Sequence, residues 1–133
     1  MPRTLAIDYG EKRTGLAWTD PLRLIATPLP ACHTRELDAQ LRRLIAQEVD
    51  TLVLGYPTRM DGSDTHITEQ VRALAARLQA EYPQVQLHLR DERFTSKLAK
   101  QALHAGQASR KQKQDKMLEN SISATILLQD FLQ

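Results

Sequence analysis

The sequence predicts an α/β domain built on a mixed five-stranded sheet, a three-strand antiparallel meander plus two parallel strands, flanked by helices. Three observations carry that expectation. Short β-prone segments separated by turn residues open the chain, compact apolar runs then alternate with stretches of helical periodicity, and the C-terminal apolar stripe is helical. A length of 133 residues suits one domain over 1–133 and leaves no room for two substrate-gripping lobes, which excludes most two-lobed kinases.

Each element follows in order. Arg3 to Tyr9 alternates, Gly10, Glu11 and Lys12 supply turn chemistry, and Arg13 to Thr19 forms the return strand. Asp20-Pro21 breaks it, and Leu22 to Leu29 is the expected third strand, ended by Pro28 and Pro30. Leu37, Leu41, Leu44 and Ile45 recur at helical spacing within Thr34 to Gln47, with Thr34 as the expected N-cap. Thr51 to Gly55 is uniformly apolar enough to be buried on both faces, as a central parallel strand is. Tyr56 to Ser63 has the Pro, Asp and Gly of a loop, and Ile67, Val71, Leu74, Ala75 and Leu78 mark a second helix that ends before Pro83. Val85, Leu87 and Leu89 alternate as another strand, Phe94 to His104 reads as helix capped by Thr95 or Ser96, and Met117 to Phe131 carries the final apolar stripe. The right-handed crossover rule brings Asp8, Gly55 and the Asp91-Glu92 pair to one sheet edge, where ligands bind in folds of this class.

Composition narrows the partners. No apolar run approaches the roughly 20 residues that span a bilayer, and the N-terminus lacks a secretory apolar core, so a cytoplasmic protein without a membrane partner is expected. Cys32 is the only cysteine, which excludes an intramolecular disulfide and a multi-cysteine zinc site; its plain reading is a small half-buried apolar side chain. The net charge of +2 conceals an asymmetry: Arg90 to Lys116 holds eight Lys or Arg against three acids, while the remainder is net acidic. A local basic segment suits a polyanion, or is simply a solvated basic helix.

Few residues can carry chemistry. Asp8 closes an apolar strand, where a carboxylate requires either an ion pair with Lys12 or Arg13 or a metal ion. Glu92 faces the same choice, between Arg90 or Arg93 and a metal. Mg²⁺ and Mn²⁺ favour carboxylate oxygen and are commonly held by one or two protein carboxylates, an arrangement suited to phosphodiester hydrolysis. Arg59, in the loop after the central strand, could meet a phosphate, although that loop lacks the Gly-Lys-Ser or Gly-Lys-Thr ending of a P-loop. The four histidines are dispersed, Trp18 reads as core, and no serine stands in a Gly-x-Ser-x-Gly elbow, so zinc-protease and acyl-transfer chemistry are unsupported.

Three segments together are more specific. Leu5-Ala-Ile-Asp-Tyr-Gly-Glu-Lys-Arg-Thr-Gly15, Leu52-Val-Leu-Gly-Tyr-Pro-Thr-Arg-Met-Asp-Gly62 and Asp91-Glu-Arg-Phe-Thr-Ser96, in that order and spacing, resemble the YqgF (RuvX) family of RNase H-like nucleases almost end to end. The first segment alone also resembles the phosphate-binding hairpin of actin and the sugar kinases, a superfamily that needs a second lobe. The YqgF resemblance implies an RNase H-like fold and a Mg²⁺- or Mn²⁺-dependent nuclease site. It also implies a role in maturing the 5′ end of 16S rRNA precursors and kinship with Holliday-junction resolvases.

In that pattern Asp8 matches the first-strand aspartate and Glu92 the glutamate of the Asp-Glu-Arg motif. A third acid normally opens the final helix, but matching Ser123-Ala-Thr-Ile-Leu-Leu128 puts Asn120 in its place, a neutral oxygen donor that lowers the site's charge. Glu119 lies about 100° away around the helix, and Asp115 lies further upstream. With Ile126 and Leu127 packed on the sheet, Asn120, seven residues before Leu127, shares their face. The expected site is therefore Asp8, Glu92 and Asn120 around the metal with Glu119 at the margin. Lys12, Arg13, Arg59, Arg93, Lys97 and Lys111 are expected on the nucleic-acid backbone. Structured RNA is the expected partner, branched DNA the alternative, and a homodimer follows from the two-fold substrates of resolvases. The rival from another class is a non-catalytic nucleic-acid-binding module whose site has degraded at Asn120.

Overall fold

A computed structural model describes residues 2–56, 66–91 and 116–133. Strands β1 (Arg3–Asp8), β2 (Arg13–Thr19) and β3 (Ala26–His33) form the meander; α1 (Leu37–Ile45), β4 (Val49–Tyr56), α2 (His66–Glu81) and β5 (Gln86–Asp91) follow, and α3 (Lys116–Leu132) closes the chain. The sheet order is β3-β2-β1-β4-β5, with β1 antiparallel to β2, β2 antiparallel to β3, and β1, β4 and β5 mutually parallel. The mixed five-stranded sheet expected from the sequence is the one observed. The expected helix over 94–104 lies outside the described residues.

The two faces of the sheet differ in side-chain size, and that difference places the helices. Leu5, Ile7, Leu16, Leu52 and Leu54 form one face with Leu37, Leu41 and Leu44 of α1 and Val71, Leu74, Ala75 and Leu78 of α2. The other face carries Ala6, Ala17 and Val53, against which Ala124, Leu127 and Leu128 of α3 pack. Small residues on that face let the helix lie close to the strands. Ala124, Leu127 and Leu128 stand four, seven and eight residues after Asn120, one helical stripe. Ile126, expected in the stripe, is only half-buried.

Two further expectations need correcting. The third strand is Ala26–His33 and contains both Pro28 and Pro30, so neither ends it. β3 is an edge strand, where a missing N–H can face the unpaired side, and the register shift opposite Gly15 leaves Pro30 without a direct ladder partner. Residues 20–25 form a loop instead. Thr34 is not an N-cap either: it opens a 3₁₀ turn (Thr34–Glu36), and α1 has no side-chain cap. The Thr34 hydroxyl donates to the Gly10 carbonyl at 2.6 Å, because a long-range acceptor is available there.

At the opposite edge, Arg90 donates to the backbone and side-chain oxygens of Asp130, each at 3.0 Å, and its guanidinium lies 5.5 Å from the Phe131 ring centroid. His88 packs on the same ring, 5.1 Å between centroids. Trp18 packs against the larger core with the Arg3 guanidinium 4.3 Å from its ring centroid. Cys32 is half-buried, and burial, assisted by Glu36, pushes its thiol above the ordinary value, which favours the protonated form.

Candidate nuclease site

The site is built on the C-terminal ends of the parallel strands. Asp8 is the last residue of β1 and only 6% exposed. It pairs with Gly15 of β2 on one side and Gly55 of β4 on the other, and Gly55 pairs in turn with Arg90 of β5. Cross-strand partners share a face, so the row Gly15, Asp8, Gly55, Arg90 looks toward α3. The acid is thus flanked by two residues without side chains. Neighbouring Tyr9 turns to the other face, where it packs against the larger core and its hydroxyl donates to Gln70 Oε1 of α2 at 3.4 Å.

Gly15 also sets the position of α3. A Cβ on Gly15 would overlap the backbone carbonyl of Asn120, so the absence of a side chain lets the first turns of the helix approach β2. Ser121 reinforces the approach, donating from Oγ to the Leu29 carbonyl of β3 at 2.9 Å. Asn120 therefore stands over Gly15, the direct cross-strand partner of Asp8. An isolated glycine inside a strand is a signal of close backbone approach, and it marks Gly15 in the sequence, where its role was not recognised.

Asn120 also lines an open recess of about 280 Å³ with Gly10, Glu11, Lys12 and Arg13. The turn that bears these residues is strapped from a distance: Thr34 N–H donates to the Lys12 carbonyl at 2.9 Å, its hydroxyl donates to Gly10, and the Thr14 hydroxyl lies 2.8 Å from that of Thr34. Lys12 and Arg13 are thereby held beside the helix that carries Asn120. Glu119 is half-buried on α3.

Of the expected site residues, the structure brings Asp8, Asn120, Lys12 and Arg13 to one end of the sheet. Glu92, Arg59, Arg93, Lys97, Lys111 and Asp115 lie outside the described residues. Among the described residues no three His, Cys, Asp or Glu side chains form a metal-holding group. What is present suits a hard divalent cation in donor type: a buried carboxylate with an amide-bearing residue nearby, and no sulfur or imidazole in that row. No helix among the described residues is long and apolar enough to cross a membrane.

Comparison with known proteins settles the family. A family model described as "RuvX: Holliday junction resolvase" matches residues 2–133. The chain belongs to the RuvX family. A Flavobacterium psychrophilum protein named "Putative pre-16S rRNA nuclease" is 40% identical over 133 residues, covering 99% of this chain and 97% of its own. A Phocaeicola vulgatus protein of the same name is 39% identical over 134 residues, covering 100% and 96%. The fold matches the fowlpox virus resolvase in complex with Holliday junction DNA, with a TM-score of 0.60 at 9% identity over 98% of this chain and 96% of that one. Thermus thermophilus RuvC in complex with its Holliday junction substrate matches with a TM-score of 0.53 at 14% identity over 98% and 94%. The fold is RNase H-like of the resolvase type, and the chain is a RuvX-family nuclease.

Proposed function

We propose that this RuvX-family protein is a divalent-metal-dependent endonuclease that hydrolyses phosphodiester bonds of structured RNA, acting in 5′-end maturation of pre-16S rRNA in the cytoplasm as one nuclease domain over 1–133. The observation that carries the reading is the buried Asp8 between Gly15 and Gly55, with Asn120 of α3 above the same row. Relatives about 40% identical over the whole chain and named for pre-16S rRNA support this choice of substrate.

Asp8, Glu92 and Asn120 would hold Mg²⁺ or Mn²⁺, with Glu119 at the margin reaching it through water. Bound there, the ion supplies charge neutralisation of the phosphate and a lowered pKa for the attacking water. The protein's own residues do the rest. Asp8 is fixed on a central strand, so its carboxylate needs no reorganisation when substrate arrives. The flanking glycines leave the ribose-phosphate chain room to approach the carboxylate. Lys12 and Arg13 on the strapped turn offset phosphate charge, and Arg59, Arg93, Lys97 and Lys111 extend the contact along the strand.

Asn120 favours a second reading, a nucleic-acid-binding module without cleavage, because a neutral amide replaces the family's acid. The two readings separate when pure protein is incubated with precursor 16S RNA, plain RNA and a four-way DNA junction, each with Mn²⁺, Mg²⁺ or chelator. The nuclease reading expects metal-dependent RNA cleavage that Asp8→Asn abolishes, by at least a hundredfold, with binding retained. Cleavage that survives chelation would overturn the metal mechanism; cleavage of the junction alone would assign branched DNA as substrate. Asn120→Asp is expected to strengthen metal binding and cleavage, and Glu119→Gln to cost less than Glu92→Gln. A homodimer presenting two sites to a two-fold substrate belongs to the same proposal, and sedimentation as a monomer with and without substrate would remove it.

A further inference from the structure

The strapped β1–β2 turn borders a second recess, which Asn120 does not line. It has a volume of about 380 Å³ and is lined by Glu11, Lys12, Arg13, His33 and Arg35. His33 is the direct cross-strand partner of Arg13, at the end of β3, and Arg35 follows in the 3₁₀ turn. Three permanent cations and an imidazole thus surround the recess, with Glu11 as its one acid. The bonds from Thr34 to Gly10 and Lys12 join its two walls, so the cluster is presented by backbone that is already fixed.

The Arg13 side chain is part of this cluster. Arg13 Nε is buried and has no hydrogen-bond partner, the one such side-chain atom among the described residues. With Nε shielded, the outer N–H groups of a guanidinium are those a phosphate can meet, and the planar fork matches phosphate oxygens better than an ammonium does.

The position relative to Asp8 is set by the sheet. β3 lies two strands from β1, and Arg13 lies two residues beyond the Asp8–Gly15 pair. With strands about 4.8 Å apart and a rise of about 3.3 Å per residue, the backbone of Arg13 is about 8 Å and that of His33 about 12 Å from that of Asp8. The far wall of the recess is therefore outside the reach of the bond being cleaved and close enough to hold the same strand.

We propose that Lys12, Arg13, His33 and Arg35 form a positioning subsite for a backbone phosphate of the substrate strand, a few nucleotides from the scissile bond. It rests on the nucleic-acid reading above and adds His33 and Arg35 to the contact surface. The site holds the strand in register across the β1–β2 turn while Asp8 faces the reacting phosphate.

The test measures binding of a fluorescein-labelled RNA stem-loop by anisotropy between 50 and 200 mM salt, in chelator so that no strand is cut. Arg35→Gln should lower the salt slope of log K by about 0.7 to 0.9, the loss of one phosphate contact, which over this range is about a threefold change. Arg35→Lys should restore most of the slope, and His33→Ala should weaken binding without lowering the thermal midpoint. Arg43→Gln, at an exposed arginine on α1 that hydrogen-bonds Gln40, is the charge-matched control and should leave the slope unchanged. An unchanged slope in Arg35→Gln, or an equal fall in Arg43→Gln, would overturn the subsite. Cleavage by the parent chain, assayed separately with Mn²⁺, decides the nuclease reading by itself, so a protein that binds through Arg35 without cutting keeps the subsite and loses only the enzyme. A parent chain that binds no RNA overturns both.

Discussion

The two connections of the antiparallel meander are built in opposite ways. The backbone of the loop between β2 and β3 is closed by its own residues: Asp20 accepts backbone N–H groups from Leu22 at 3.2 Å, Leu24 at 2.9 Å and Ile25 at 2.7 Å, and its own carbonyl accepts from Arg23, whose side chain also reaches the Asp50 carboxylate at 2.6 Å. Those bonds hold Arg23 in the left-handed region, with φ 59°, and leave Leu22, Leu24 and Ile25 exposed. The turn between β1 and β2 is fastened instead by Thr34, whose hydroxyl bonds Gly10 across 24 residues of sequence. Its shape also depends on Gly10, since a Cβ there would overlap the Arg13 carbonyl. A loop whose backbone bonds are made by its own residues takes its turn geometry from local sequence, with the Arg23–Asp50 ion pair as a long-range side-chain tie. The turn beside the candidate site takes its shape from the tertiary structure, so damage elsewhere should reach it.

The largest effect should come from Gly15→Ala. The new Cβ meets the Asn120 backbone, which cannot swing aside as a flexible side chain would, so α3 must shift. Overpacking of this kind costs about 1–3 kcal/mol, and cleavage should fall more than stability explains because Asn120 moves away from Asp8. Urea unfolding beside an RNA cleavage assay checks both; a fully stable, fully active variant would show that the close approach is unnecessary.

Thr34→Val comes next. It keeps the shape, removes the hydroxyl and leaves the Gly10 carbonyl and the Thr14 hydroxyl each short of a partner, for about 1–2 kcal/mol. RNA affinity should drop with it, since Lys12 and Arg13 ride on that turn; equilibrium unfolding and anisotropy together test the link.

Asp20→Asn should have a smaller effect, confined to stability and to a defined pH window. Hydrogen bonds from Ile25, Leu24 and Leu22 hold the Asp20 carboxyl below its ordinary value of 3.8. A folded-state pKa depressed in this way stabilises the fold above 3.8 and loses that contribution as pH falls through the folded value. The urea midpoints of parent and variant should therefore differ at pH 6 and converge in acid, while RNA cleavage at neutral pH stays equal. Divergence on acidification would reverse the sign and refute the assignment. Smallest of all, Ile25→Ser should change stability by under about 0.5 kcal/mol in thermal melts, because the side chain is 65% exposed.

Legibility follows the same division. β1, β2, β4 and α2 could be read from the sequence because the three strands are apolar toward both cores and α2 buries a single helical stripe. The third strand was displaced in the reading because Leu22, Leu24 and Ile25 mimic a strand, while Pro28 and Pro30 look like breakers until the strand is known to be at an edge. Thr34 had the composition of a cap, but a hydroxyl bonds whichever acceptor the fold brings nearest. In the final stripe, Leu128 and Ala124 accompany Leu127 where Ile126 was expected, and Asn120 still falls on that line.

By itself the sequence determined an acid at the end of an apolar strand, the order of elements, the family motifs and a basic segment. Only the tertiary structure decided that Asp8 lies between Gly15 and Gly55, that the Asn120 backbone covers Gly15, and that His33 and Arg35 join Lys12 and Arg13 around one recess. The physical reason is register. Periodicity shows which face of a strand is buried, whereas hydrogen bonding between strands distant in sequence selects which residues stand side by side, and a slip of one residue would turn Asp8 away from α3.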